Sequence, residues 1–482
     1  MTEPGSARIQ KLATLAGPAF AEVALIVIGP CALILARYFS WGAGPYRLLS
    51  LVLLFAFIAL ATLRRGYLIS VWDRGRLHWV LAALCAVLLF LHARYFIHDI
   101  RRGGECWTDM GRPSICSGEW LRRGLNPWAE CAPPLRAAEK RTPPTKGEAT
   151  YVECVKFDRC IDYKGGRPYK NWKHHGPGFD FMDGYKYGPI SALAYFPLTH
   201  TLRERGVFAV NFAFWWLHAF LMWGLAVAAY PSQRAAPWRA LLGWLSPLVL
   251  PLATLLPTIH ISALGHSYEL APPEQGTFIL EITRRCANDI IPVSLGMAAL
   301  LMAARKYWVL AGVLLGLSLA AKPLPALLWC VLLPGFAGVH ARRLVASAVV
   351  TTTLCYLPFF VWAPREMIAN LISFSWLRPT NASSIRAYIP ESLGSLIGVL
   401  QLLSCAVLTF AFYRSGPRDL GRLLRTSALS TIAFVAFNKV VHGNYLLWIQ
   451  PLAALALAGL PFRPPARASV RATRVRAAPD PS

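Results

Sequence analysis

The chain has 482 residues, of which 55% are hydrophobic and only 15% charged, and its formal net charge is +25. Soluble domains carry about 25% charged residues, so this deficit, with a positive mean hydropathy, excludes an ordinary soluble protein. The basic excess does not point to nucleic acid either, because the arginines and lysines sit in short clusters between apolar runs, which is how membrane topology is written.

Taken in order, apolar runs fall at 16–37, 46–63, 77–96, 206–230, 237–257, 288–304, 306–321, 323–340, 344–363, 391–413, 423–438 and 443–461. The first follows a short basic start and is too long for the core of a cleavable signal peptide, so none is expected. A bilayer core takes roughly 20 helical residues, and shorter helices are tolerated inside a bundle. The expected fold is an all-α polytopic membrane protein of about twelve transmembrane helices.

Arg64, Arg65, Arg74 and Arg76 follow the second run. Further clusters follow at Arg234 and Arg239, Arg305 and Lys306, Arg342 and Arg343, and Arg414, Arg418 and Arg422. With twelve spans all of these lie on one side, together with the arginine-rich tail, so both termini are expected in the cytoplasm. The tail reads as disordered and suited to touching anionic lipid.

The opposite face receives the stretch Ile97–Tyr187, the segments 258–287 and 364–390, and the link Lys439–Asn444. The first holds 12 of the chain's 24 acidic residues and five of its 11 cysteines. Long loops are usually functional or disordered, and aromatics and cysteines favour the former. Cys106, Cys116, Cys131, Cys154, Cys160 and Cys286 on an oxidising side would allow three disulfides in 15 pairings, with free thiols as the other reading. A zinc site lacks the usual ligand spacing. Cys31, Cys85, Cys330, Cys355 and Cys405 fall in helices and read as packing residues.

Asp109 sits just past the third run, and Ser117–Trp128 reads as a short helix ended by Gly124 and a turn at Asn126-Pro127. A carboxylate there could accept a proton from a sugar hydroxyl attacking an activated sugar, or it is a solvated loop acid or cap. Asp180 and Asp183 precede Tyr185-Lys186-Tyr187-Gly188-Pro189. The acids could bind a metal, cap a helix or contact sugar hydroxyls, and the aromatics could stack on a pyranose or anchor at the lipid interface. The run Ile190–Leu198 is too short to span and suits an amphipathic piece along the membrane surface.

Arg284, Arg285, Asn288 and Asp289 open the sixth run, and Lys322 stands between Ala321 and Pro323. Ionisable groups at such depth pair with something or line a cavity. Lys322 and an arginine could neutralise a lipid phosphate, against the alternative of snorkelling. Lys439, His442 and Tyr445 form a last outer turn suited to a phosphate or sugar contact. His260, His266, Arg378 and Arg386 are weaker candidates, and Asn381-Ala-Ser383 matches the N-glycosylation pattern. No phosphate loop, HExxH, nucleophile elbow or inverted repeat stands out.

Together these stretches resemble the GT-C glycosyltransferases, most of all glycosyltransferase family 87 and more distantly the glycosylphosphatidylinositol mannosyltransferase I catalytic subunit. The similarity is carried by Asp109 with Gly124-Leu-Asn-Pro-Trp128, and by Tyr185-Lys-Tyr-Gly-Pro189. It continues in Asn288-Asp-Ile-Ile-Pro292 through Ala311–Pro323, and in Phe437-Asn-Lys-Val440 with Tyr445-Leu-Leu-Trp448. The first two helices and the long cysteine-bearing insert depart from the family, and no Asp-x-Asp supports a divalent cation. The resemblance implies inverting transfer of a sugar, most often mannose, from a polyprenyl-phosphate donor to an extracytoplasmic lipid or glycan acceptor, without a cofactor. Asp109 would be the base. Lys322, Arg285, Arg284, His442 and Lys439 would bind the donor phosphate, and Asp180, Asp183, Tyr185, Lys186, Tyr187, Asn288 and Tyr445 the sugar or acceptor. The expected organisation is 1–76 as an N-terminus with two added helices and 77–205 as a first core helix with the large loop. A GT-C-like bundle over 206–462 and a basic tail over 463–482 complete it. The competing classes are a lipid or glycolipid transporter, which needs no base at Asp109, and a structural subunit whose loop binds a partner.

Overall fold

The computed structural model describes residues 52–56, 58–59, 68–69, 72–73, 76–102, 111–122, 124–128, 185, 187–202, 204–245, 259–263, 266–270, 288–373, 389–414, 419–438, 445–459 and 462–463. The helices are α1 (His78–Arg102), α2 (Gly111–Arg122), α3 (Pro189–Leu202), α4 (Glu204–Ala229), α5 (Ala236–Leu245) and α6 (Ile290–Ala304). They continue with α7 (Trp308–Ala321), α8 (Pro323–Ala337), α9 (Ala341–Trp362), α10 (Gly394–Arg414), α11 (Leu420–Ala436) and α12 (Leu446–Ala458). Each apolar run from residue 77 onward overlaps one of them. Two short strand pairs depart from an all-helical fold: β1 (Leu68–Ile69) lies parallel to β4 (Phe462–Arg463), and β2 (Ile259–Ala263) antiparallel to β3 (His266–Leu270).

Among the described residues, three stretches are long and apolar enough to cross a membrane: Arg205–Ala229, Ala326–Trp362 and Gly394–Arg414. The second comprises most of α8 and all of α9, broken at Gly338, whose φ of 59° suits a residue without a Cβ. The helices over His78–Arg94, Ile290–Ala304, Trp308–Ala321 and Leu447–Ala458 are apolar but shorter. Val350, Leu354, Val361, Leu402 and Phe410 on α9 and α10 are exposed, a belt that water would penalise and lipid accepts. These apolar helices mark a membrane-embedded protein.

The helices run up and down. The turn Arg305–Tyr307 reverses α6 into α7, and α7 packs along α6 and α9. The core is a cluster of buried residues from α1 and from every helix from α4 to α12, with Trp244, Trp329 and Trp448 fully buried in it. Gly296 lets the Trp329 ring lie directly on α6, where a Cβ would overlap it.

The helix expected within Ser117–Trp128 begins earlier, at Gly111, because Pro113 is tolerated in a first turn where its missing N–H has no partner to lose. Its end is as the sequence indicates. Gly124 has φ 69°, its N–H donates to the Leu121 carbonyl (3.1 Å), and the Leu125 N–H donates to the Trp120 carbonyl (2.8 Å), a Schellman closure. The run expected along the membrane surface is α3, which packs against α2 and α4 with Ser191, Ala192 and Tyr195 buried, while Leu193 and Leu202 stay exposed. Its apolar residues find a protein partner that local patterning does not reveal. Cys85, Cys330, Cys355 and Cys405 are free thiols in helices; the pairing expected of the loop cysteines and Cys286, and the helix at 16–37, lie outside the described residues.

Candidate functional site

Lys322 is placed by the proline that follows it. A residue before proline is driven out of the α region, and Lys322 is extended at φ −157° and ψ 107°, so α7 stops and α8 starts with Pro323 at its first position. The Ser318 hydroxyl donates to the Pro292 carbonyl (2.7 Å), tying the end of α7 to the start of α6. This carries Lys322 to Asp289, whose Oδ1 accepts from the ammonium at 2.6 Å; the side chains are 17% and 0% exposed. The same oxygen accepts from the Trp448 indole N–H at 2.8 Å. The ammonium also lies over the rings of Tyr187 (5.6 Å) and Tyr445 (5.5 Å), within range of an aromatic face's attraction for a cation.

Tyr187-Gly188-Pro189 reaches this point by docking on the end of α7. The Gly188 N–H and the Ser191 hydroxyl both donate to the Ala321 carbonyl, at 3.0 and 3.1 Å. A Cβ on Gly188 would overlap the Ala320 carbonyl oxygen and come within 2.8 Å of the Tyr356 hydroxyl, so only glycine permits this approach. Behind it, the Trp128 indole N–H donates to the Tyr187 carbonyl (3.2 Å) and the Tyr185 N–H to the Pro127 carbonyl (3.1 Å). The Asn370 amide donates to the Trp128 carbonyl (3.2 Å), and the Trp128 N–H donates to Asn126 Oδ1 (3.0 Å). The Trp128–Tyr185 and Tyr185–Tyr187 ring pairs are edge-on, at 5.7 and 5.4 Å. The Tyr185 hydroxyl faces Ser114, Ser117 and Asn288, and burial holds its pKa well above the ordinary phenol value. The Asn288 carboxamide is buried, with neither its nitrogen nor its oxygen in a hydrogen bond of good geometry.

Of the residues singled out in the sequence, Lys322, Tyr185, Tyr187, Asn288 and Tyr445 therefore come together at one end of the bundle. Tyr185 and Asn288 lie inside its wall rather than at an open surface. Asp109, Asp180, Asp183, Lys186, Arg284, Arg285, Lys439 and His442 lie outside the described residues, as do Arg378 and Arg386. His260 and His266 are on the β2–β3 pair. Asp289 is noted in the sequence as an ionisable group opening the sixth run and Trp448 only as part of a longer stretch, yet together they complete the arrangement around Lys322. The signal for Asp289 is its position: an acid opening an apolar run must find a cation. Lys322 is thus paired within the protein rather than snorkelling. Among the described residues no group of three His, Cys, Asp or Glu side chains could hold a metal.

No family model, curated protein or solved structure matches the chain. Chemically, the arrangement is a cation flanked by two phenol faces and paired with a carboxylate, at one end of an apolar bundle.

Proposed function

We propose that this chain is an integral membrane glycosyltransferase of the GT-C kind, moving a sugar, most often mannose in such enzymes, from a polyprenyl-phosphate donor to an extracytoplasmic lipid or glycan acceptor. The observation that carries this reading is the meeting, around Lys322, of five stretches scattered through the sequence: Gly124–Trp128, Tyr185–Pro189, Asn288–Pro292, Ala311–Pro323 and Tyr445–Trp448. The donor has a charged headgroup on an apolar tail, and a buried ammonium opening at the end of a lipid-facing bundle suits it.

The acceptor hydroxyl attacks the anomeric carbon with inversion. A new carbon–oxygen bond forms while the bond to the phosphate oxygen breaks, and its electron pair leaves with the lipid phosphate. Asp109 takes the hydroxyl proton. Lys322, with Arg284, Arg285, Lys439 and His442, offsets the charge growing on the leaving phosphate, while Tyr187, Tyr445, Asp180, Asp183 and Lys186 line the sugar and acceptor side. Twelve spans with both termini in the cytoplasm put this end of the bundle outside. The basic residues at Arg305, Lys306, Arg342, Arg343, Arg414 and Arg422, at the turns and helix ends remote from Lys322, support that orientation.

A lipid or glycolipid transporter is the second reading. Buried polar pairs within and beside α4 favour it: the Tyr195 hydroxyl donates to Asn211 Oδ1 at 2.7 Å, and His218 Nδ1 lies 3.2 Å from the Ser294 hydroxyl. Such groups inside a spanning helix often mark a pathway. Purified protein incubated with polyprenyl-phosphate mannose and a panel of acceptors separates the two. A transferase consumes donor, and Asp109→Asn lowers the rate by about 10²–10⁴-fold with the fold intact. An unchanged rate in the variant removes Asp109 from the mechanism. Binding without consumption, across several donor sugars, selects the transporter.

A further inference from the structure

Asp289 occupies the N-cap position of α6, where an aspartate ordinarily accepts a backbone N–H from the first turn, yet its side chain makes no cap bond. Its carboxylate turns to the Lys322 ammonium and the Trp448 indole instead. Among the described residues it is the one carboxylate in ion-pair range of that lysine. A half-buried lysine whose sole task were anion binding would be better served by no carboxylate at all. The indole supplies the missing piece: it keeps a donor on Asp289 Oδ1 when the ammonium shifts toward a ligand, so the carboxylate is never left bare in the bundle.

We propose that Asp289 is a resident counter-ion that sets the anion selectivity of Lys322, admitting a phosphodiester monoanion and disfavouring a phosphomonoester dianion. The proposal rests on Lys322 being the phosphate site. A sugar-linked polyprenyl phosphate is a diester with one negative charge. The lipid phosphate left after transfer is a monoester carrying about 1.5–2 charges at neutral pH. A fixed carboxylate on the far side of the shared ammonium repels a doubly charged headgroup about twice as strongly as a singly charged one, so it offsets more of the dianion's attraction to the lysine. The site then holds donor and releases spent carrier. In a transporter the same arrangement sorts lipid phosphates by charge.

The test uses the full chain in detergent micelles with farnesyl phosphate as monoester, methyl farnesyl phosphate as diester, and farnesol and inorganic phosphate as the tail-only and headgroup-only arms. Affinity is read by calorimetry and by each protein's own ligand-induced thermal shift, so a less stable variant is still informative. Asp289→Asn, which preserves shape and an acceptor for Trp448, is expected to tighten the monoester by about tenfold or more and the diester by clearly less. Lys322→Gln weakens both, and farnesol is unaffected by either change. Asp289→Ser shows the same order if the asparagine variant does not fold. A monoester bound no more tightly in both Asp289 variants, or equal gains for both esters, overturns the proposal and leaves Asp289 a structural partner. Wild-type protein that binds neither ester overturns it together with the phosphate reading of Lys322. The expected selectivity in a protein that consumes no donor leaves this inference standing and removes the transferase alone.

Discussion

Two aspartates hold the same position at the start of a helix and do different work. Asp419, at the N-cap of α11, is extended (φ −78°, ψ 161°), and its side chain accepts the Arg422 N–H at 2.7 Å. Asp289, before α6, is helical in backbone (φ −62°, ψ −22°) and sends its carboxylate across to another helix pair. Both precede an apolar helix; only the neighbours distinguish them. Asp419→Ala is expected to cost about 1 kcal/mol of stability, the ordinary worth of a cap, with no change in phosphate-ester affinity. Chemical denaturation in detergent alongside the binding measurement checks both halves.

At the scale of elements, the position of Lys322 depends on how closely α7 lies on α9. Gly312 and Gly316 stand one turn apart on the contact face. A Cβ at Gly316 would come within 2.6 Å of the Ala348 carbonyl oxygen and 2.8 Å of Thr351 Cβ. Small residues at this spacing let backbones approach where lipid gives no hydrophobic drive for helix association. The Thr352 hydroxyl reaches the Gly316 carbonyl and the Tyr356 hydroxyl the Leu319 carbonyl, each at 3.3 Å, so the seam continues to the end that bears Lys322. Gly316→Val is expected to destabilise the bundle by about 1–3 kcal/mol through overpacking. It should also weaken both phosphate esters alike, since it displaces the ammonium without altering Asp289. Unchanged melting and binding would show that the seam yields at no cost.

At the scale of the whole molecule the two ends of the bundle are each tied by an ion pair, with unlike consequences. Remote from Lys322, Arg239 meets Asp73 at 3.4 Å with both side chains almost fully buried. Asp73 Oδ1 also accepts the Ala235 N–H at 2.6 Å, and Arg239 reaches Gln233 Oε1 at 2.8 Å. Nearby, the Tyr230 hydroxyl donates to the Leu455 carbonyl at 3.1 Å, and its ring packs where Gly459 leaves room. Asp73→Asn leaves a buried guanidinium without its counter-charge, so a loss of about 3–5 kcal/mol is expected, with the monoester-to-diester preference intact. A change in that preference would mean that the two ends communicate.

The amino-acid sequence by itself determined the membrane class, the run-by-run placement of the helices beyond residue 77, the Gly124 closure and the identity of the polar stretches worth attention. These follow from local properties: apolar run length, proline and glycine at breaks, and the dearth of charge. Only the tertiary structure decided that Lys322 belongs to Asp289, 33 residues away in the chain, and that Trp448, 159 residues from that aspartate, completes the pair. It also decided that α3 packs against α2 and α4 and that Tyr185 is wall rather than surface. Such partnerships depend on which helices become neighbours and how each is rotated. That is set by packing summed over the whole bundle, which no single stretch of sequence encodes.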